Sequence, residues 1–266
     1  MNNVPMSVQA SKLNGQVVPS VLRAGSILDA LSAGPPTASL ASLSRQLGYP
    51  RSSTLALCKS LVEIGLLLRD DDGSYRLGPH LVELSRSYLG QTDLLSEFRR
   101  VIAETGYLSE QTLVCSVLRG GDVIYLGSRQ GTSPLGVTYE VGLRLPAHCT
   151  ASGLAMLSTL DAAELEELYL DAAEFERLTP KSISSLEQLR ERLAAVRADG
   201  YAIDDEETAA GMLCIGATVR DDAGRTGGAV AVSMPKGART SAELSGDAVE
   251  LLKLAERISR ALGAPA

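Results

Sequence analysis

Residues 40–77 read LASLSRQLGYPRSSTLALCKSLVEIGLLLRDDDGSYRL, and this stretch decides the fold of the N-terminal part of the chain. Leu40, Leu43 and Leu47 share one face of a short helix, and Ser39 is placed to cap it. Gly48-Tyr49-Pro50 ends that helix. Another runs from Arg51 to Ile64 and stops at Gly65, where a left-handed cap fits. Two helices joined by a short turn containing glycine make a helix-turn-helix pattern. Leu66–Arg69, the turn Asp70–Gly73 and Ser74–Leu77 then read as a β-hairpin, the wing of a winged helix-turn-helix.

The helix from Arg51 to Ile64 separates into two faces. Leu57, Leu61 and Ile64, flanked by Leu55, Cys58 and Val62, form a wide apolar stripe for the core. Ser52, Ser53, Ala56, Lys59, Ser60 and Glu63 occupy the other side. The candidate DNA contacts are Arg51, Ser52, Ser53, Thr54 and Lys59, joined by the wing bases Arg69 and Arg76. Small hydroxyl side chains approach phosphates and base edges closely, and arginine or lysine serves either. Asp70, Asp71 and Asp72 at the wing tip oppose contact with a phosphate backbone.

Working outward, Val21, Ala24, Gly25, Leu28 and Leu31 recur at helical spacing and stop at Ala33-Gly34-Pro35-Pro36. Residues 1–18 are polar and mixed, which predicts a disordered tail with no secretory leader, and residues 19–78 form the winged head. Pro79–Leu95, interrupted at Gly90, reads as a linker helix and a dimer contact. From residue 96 to 266 the pattern turns to mixed α and β. Helices are expected over Glu97–Gly106, Thr150–Leu160, Ala162–Leu170, Ser184–Asp199 and Ser241–Leu262. Strands are expected over Thr112–Leu118, Asp122–Gly127, Val137–Val141, Tyr201–Asp204, Leu213–Val219 and Gly228–Ser233. The Gly120-Gly121 turn signals a hairpin, and the order of elements predicts an α+β domain on an antiparallel sheet.

Charge divides along the chain in the same way. Residues 1–80 carry seven basic and five acidic side chains, a net of +2. The remainder carries eighteen against twenty-seven, a net of −9, within a total of −7 over 266 residues. A weakly basic head on an acidic body suits an anion-binding module joined to something else. Apolar stretches are short and broken by Gly, Ser or Arg, so no membrane span is expected and a cytoplasmic location follows. Cys58, Cys115, Cys149 and Cys214 lie far apart with no C-x-x-C pair, and His80 and His148 are the two histidines. This predicts reduced thiols and no metal site, and no cofactor fingerprint appears.

At this point the residues resemble the IclR family of bacterial transcriptional regulators from Val21 to Leu262. The head carries the likeness in Leu47–Ser53, in the run Leu61–Gly65 and in Tyr75-Arg76-Leu77-Gly78. The body carries it in Leu145–Gly153 and in Gly200–Glu207, with Gly211 and Cys214 downstream. The resemblance implies a C-terminal GAF-like effector domain that binds a small metabolite, a carboxylate or an aromatic acid, in a homodimer or a dimer of dimers. Carried over by position, it implies a pocket lined by Ser152 and Gly153 at a helix start, with Met156 one turn on. Asp204, Cys214, Ala231 and Ser233 would join them from strands. A helix start beside glycine exposes N–H groups that suit a carboxylate. The chain departs from the family at Ala56, where Arg is frequent, at Leu154, where Lys is common, and at Thr218, where Pro is frequent.

Two other functions compete. The adjacent His148-Cys149, or Cys214 with a histidine, suggests a thiol nucleophile and base. Neighbours on a strand point opposite ways, however, and no nucleophile elbow or nucleotide loop is present. The head's small charge also fits a helix-turn-helix that meets protein rather than DNA. The hydroxyl-rich face and the wing bases favour DNA, as repressor or activator.

Overall fold

The computed structural model describes residues 18–91, 93–132, 138–169 and 175–265. The chain divides into two compact units, the first ending at Gln91. The expected tail lies almost wholly outside the described residues.

In the first unit, α1 (Pro19–Ala33), α2 (Leu40–Leu47) and α3 (Arg51–Glu63) pack around Ile27, Leu31, Leu43, Cys58, Leu61 and Leu67. Ser39 caps α2 by accepting from the Ser42 N–H at 3.2 Å, a contact of the kind worth about 1 kcal/mol. Gly48 ends α2 in the left-handed region, at φ 66°, and Pro50 starts α3 at once. Gly65 turns the chain at φ 74° into β1 (Leu67–Arg69), which pairs antiparallel with β2 (Tyr75–Leu77). Ala38 bridges to Tyr75 and so ties the wing back to the segment before α2. The winged head therefore forms as its turn residues dictate.

Two settings differ from the sequence reading. The buried side of α3 is Thr54, Cys58 and Leu61, while Ile64 is 57% exposed. Leu57 and Val62 still pack against the core from partly buried positions, but the centre of the buried side shifts toward Thr54 and Cys58, and Ile64 drops out because it stands beyond the last helical residue. In α1 the buried residues are Ile27, Ala30 and Leu31, and Val21 is exposed. The span expected as one linker helix is shared between α4 (His80–Gln91), which belongs to the first unit, and α5 (Asp93–Thr105), which belongs to the second.

The second unit is built on one antiparallel sheet in the order β5-β4-β3-β8-β7-β6. Its strands are β3 (Thr112–Arg119), β4 (Asp122–Arg129), β5 (Arg144–Pro146), β6 (Ala202–Asp205), β7 (Met212–Arg220) and β8 (Thr226–Pro235). Gly120, at φ 59°, turns β3 into β4. Helices α5 and α9 (Ser241–Ala261) pack together, and α9 lies against β7 and β8. The long α9 opens on a capping box in which Thr240 and Glu243 satisfy each other's backbone N–H groups. Helix α6 (Ala151–Leu157) also packs on β7 and β8, and α8 (Leu186–Asp199) packs on α6. Strand alternation separates these layers. Ala229, Ala231, Cys214, Val114 and Tyr125 join Leu154, Met156, Leu189 and Leu193 in one core cluster. Helix α7 (Ala162–Tyr169) adds Leu165 to the same cluster.

The strand expected at Val137–Val141 is not formed over residues 138–141, and Val137 lies outside the described residues. The edge of the sheet is instead the three-residue β5, which pairs Asp122 with Pro146 and Ile124 with Arg144. A proline on the edge strand interrupts no interior ladder.

Candidate nucleic-acid interface and effector site

In the head, α3 presents Arg51, Ser52, Ala56, Lys59, Ser60 and Glu63 to solvent, with Ser53 half-buried. Pro50 precedes the helix and supplies no side-chain cap, so the first-turn N–H groups remain open to an anion. Thr54 is a correction. It is fully buried and donates its hydroxyl to the Pro50 carbonyl at 3.1 Å, so it holds the turn and cannot reach DNA. Ser60 likewise donates to the Ala56 carbonyl at 3.1 Å.

The wing bases are both exposed but differently engaged. Arg76 Nε donates to Asp70 Oδ1 at 2.8 Å, and the Arg69 guanidinium lies 6.0 Å from the centre of the Tyr75 ring. Asp72 accepts from both the N–H and the hydroxyl of Ser74, which holds its carboxyl below the usual range. An exposed ion pair is worth about 0–1 kcal/mol, so Asp70 restrains Arg76 only weakly against a phosphate.

In the body, register brings three of the anticipated effector residues into one row. Asp204 pairs with Cys214, Cys214 with Ser233, and Ser233 with Thr112, across β6, β7, β8 and β3. Ala231 stands on the same face of β8, two residues from Ser233. Ser152 and Met156 are buried in α6, and Met156 joins the same cluster. The Ser152 hydroxyl is buried without a hydrogen-bond partner.

Gly153 is placed otherwise. A Cβ on it would fall 2.2 Å from the Ala147 carbonyl oxygen, in the 3-10 turn Ala147–Cys149, and its N–H donates to Thr150 Oγ1 at 3.0 Å. Its smallness seats α6, and its amide is already engaged. Asp204 is also partly occupied: Oδ1 accepts from the N–H groups of Glu207 at 2.7 Å and Thr208 at 3.1 Å. Burial raises its pKa while those bonds oppose the rise.

The sequence reading missed three residues. Tyr139 reaches into the row, with its hydroxyl 2.9 Å from Ser233 Oγ, 3.8 Å from Cys214 Sγ and 3.7 Å from Met212 Sδ. Its ring tilts on Tyr125 at 4.9 Å between centroids. The third, Glu207, is buried with one oxygen 2.5 Å from Arg192 Nη2 and the other unpartnered. Burial pushes its carboxyl up to about 7. Alternation over 137–141 does not single out Tyr139, since no strand forms over 138–141 and Val141 is exposed; nothing in the sequence marks Glu207 as more than one of four consecutive acids.

The four cysteines are free and buried. Burial pushes Cys58 and Cys149 up to about 11 and Cys115 to about 12, and holds Cys214 well above the ordinary thiol range. His148 and Cys149 both turn to the Glu176 carbonyl, at 2.8 and 3.5 Å. A protonated thiol at neutral pH is a poor nucleophile. Among the described residues no His, Cys, Asp and Glu cluster is placed to hold a metal, and no helix is long and apolar enough to cross a membrane.

A helix-turn-helix head with a hairpin wing, followed by an antiparallel-sheet body, is the architecture of a transcriptional regulator built in two units. The family model for the IclR helix-turn-helix domain matches residues 20–71, and that for the bacterial transcriptional regulator IclR C-terminal domain matches residues 86–260. The chain belongs to the IclR family. It is 30% identical over 251 residues to the HTH-type transcriptional regulator XynR of Escherichia coli K12, covering 94% of this chain and 99% of that one. The crystal structure of the repressor BlcR of Agobacterium tumefaciens is similar at 35% identity and a TM-score of 0.62, covering 95% and 100% of the two chains. An IclR homologue from Microbacterium hydrocarbonoxydans, crystallised with 4-hydroxybenzoate, shares the fold at 23% identity and a TM-score of 0.72, covering 91% and 98%.

Proposed function

We propose that α3 enters the major groove of operator DNA. Arg51, Ser52, Ser53 and Lys59 meet base edges and phosphates, and Arg69 and Arg76 flank them from the wing. The observation that carries this is the bare face of α3, opposite its buried Thr54–Cys58–Leu61 side and directly after the Gly48 turn. The body binds a small carboxylate or aromatic metabolite on its α6 face, at Ser152, Met156, Asp204, Cys214, Ala231 and Ser233. The protein works in the cytoplasm as a homodimer or dimer of dimers, without a catalytic step or a cofactor. Effector binding shifts the balance between two dimer arrangements by its differential affinity for them, and one arrangement matches the operator spacing.

The test separates the two sites. Arg51→Ala is expected to weaken operator binding in fluorescence anisotropy while calorimetric binding of 4-hydroxybenzoate, used as a probe, stays at wild type. Ser233→Ala is expected to do the reverse. Loss of both activities in either variant contradicts two separate sites.

A further inference from the structure

We infer that Tyr139 is an internal occupant of the effector site, and that the effector it yields to presents an aromatic hydroxyl to Ser233. The inference rests on the reading that the α6 face of the body is that site.

Tyr139 is 5% exposed, yet Thr138 and Glu140 beside it are exposed, and Val141 is 54% exposed. The stretch 138–141 forms no strand. Among the described residues its backbone is tied at two points: Ser128 donates to the Tyr139 carbonyl at 2.9 Å and the Leu143 N–H to the Glu140 carbonyl at 3.1 Å. A segment with so little attached surface is among the first to open locally. The Tyr139 side chain is what anchors it in the core.

Ser233 and Cys214 are polar groups buried in adjacent strands in the middle of the sheet. Such groups require partners. Ser233 donates to Cys214 Sγ at 3.2 Å, which leaves its oxygen to accept from the Tyr139 hydroxyl at 2.9 Å. Cys214 in turn stands beside Asp204. With Ser233 donating to Cys214, the Tyr139 hydroxyl donates to Ser233; with that hydroxyl turned to Met212 Sδ at 3.7 Å, it accepts from Ser233 instead, so the position suits a group that can do both. A carboxylate cannot donate, and it would also meet the field of Asp204. A phenol can take the place, with its ring on Tyr125 where Tyr139 now lies 4.9 Å away. Because the present occupant is tethered, a ligand binds with its intrinsic affinity reduced by the fraction of molecules in which Tyr139 has left. Displacing Tyr139 moves residues 138–141 outward, which links occupancy to the surface of the body.

The test uses 4-methylphenol, which reproduces the tyrosine side chain, in calorimetric titrations of the full-length chain. Tyr139→Ala is expected to bind one equivalent about tenfold more tightly than wild type. Toluene, which lacks the hydroxyl, binds that variant more weakly. Adding Ser233→Ala lowers 4-methylphenol affinity about fivefold and leaves toluene unchanged. Tyr139→Phe keeps the ring and the packing, so it serves if the alanine variant does not fold; losing the internal hydroxyl contact makes it bind 4-methylphenol more tightly than wild type. Equal affinity in wild type and both Tyr139 variants overturns the inference and leaves the effector site standing. The inference also fails if folded Tyr139→Ala refuses 4-methylphenol while wild type binds 4-hydroxybenzoate. If no folded variant binds either compound, the effector reading falls with it.

Discussion

Two glycine-to-alanine changes in helices of the same domain should move its stability in opposite directions. On helix propensity alone each gains about 1 kcal/mol. At Gly246, in α9, an added Cβ meets nothing within 4 Å, so the gain stands. At Gly153, in α6, it would lie 2.2 Å from the Ala147 oxygen and 2.5 Å from the Ala147 Cα. Those are backbone atoms of an adjoining turn and cannot swing aside as a side chain would. Overpacking of this kind costs about 1–3 kcal/mol, and contact with backbone on both counts puts Gly153 at the upper end. The net for Gly153→Ala is a loss of about 2 kcal/mol. For a unit of this size, about 2–4 °C of Tm accompanies each kcal/mol. Differential scanning calorimetry should show the body's transition falling by about 4–8 °C in Gly153→Ala and rising by about 2–4 °C in Gly246→Ala. The head's transition should hold in both. A Gly153→Ala protein as stable as wild type, yet deficient in ligand binding, would refute the packing argument and restore Gly153 as a ligand contact.

Three further outcomes follow from the same geometry. Thr54→Val loses the hydroxyl bond to Pro50 and should cost the head about 1 kcal/mol in urea unfolding, while the salt dependence of DNA binding stays unchanged. A changed salt slope at full stability would put Thr54 back in the interface. Asp70→Asn frees Arg76, so operator affinity should rise and the slope of log K against log salt should steepen by about one; no change in slope means Arg76 does not reach a phosphate. Glu207 ionises near pH 7 in the folded body, against an ordinary value of 4.5. Between those values the folded form holds the proton that the unfolded chain has lost. Stability therefore falls as pH rises across this window and levels above it. Glu207→Gln should flatten that slope in chemical unfolding curves measured from about pH 5 to 8, and an unaltered slope assigns it to another group.

Much of this architecture was legible because turn chemistry and periodicity agree. Gly48, Gly65, Gly120 and Gly200 all take positive φ at the breaks their sequence contexts predict, and the capped helices lie where expected. The failures have physical causes. An amphipathic pattern fixes that α3 has an inner face but not its rotation, and Thr54 competes for the core because its hydroxyl bonds back to the turn. Helical period continues on both sides of Gly90, so that residue marks a break in Pro79–Leu95 without showing that one packed unit stops beside it, at Gln91. Gly153 looks alike in sequence whether it opens space for a ligand or for the Ala147 backbone. The Asp204–Cys214–Ser233–Thr112 row depends on strand register, which a one-residue slip would turn to the opposite face. The sequence places Tyr139 in a strand that does not form; it turns inward through its ring on Tyr125 and its hydroxyl contact with Ser233.

The central claim is that this chain reads DNA sequence through its head. It is tested most directly by fluorescence anisotropy of the full-length protein with the intergenic DNA beside its own gene, at several salt concentrations, against scrambled DNA of equal length. Nanomolar binding that prefers the native sequence and weakens steeply as salt rises is expected. No binding to either DNA even at low salt would contradict it, and would assign the exposed face of α3 to a protein partner instead.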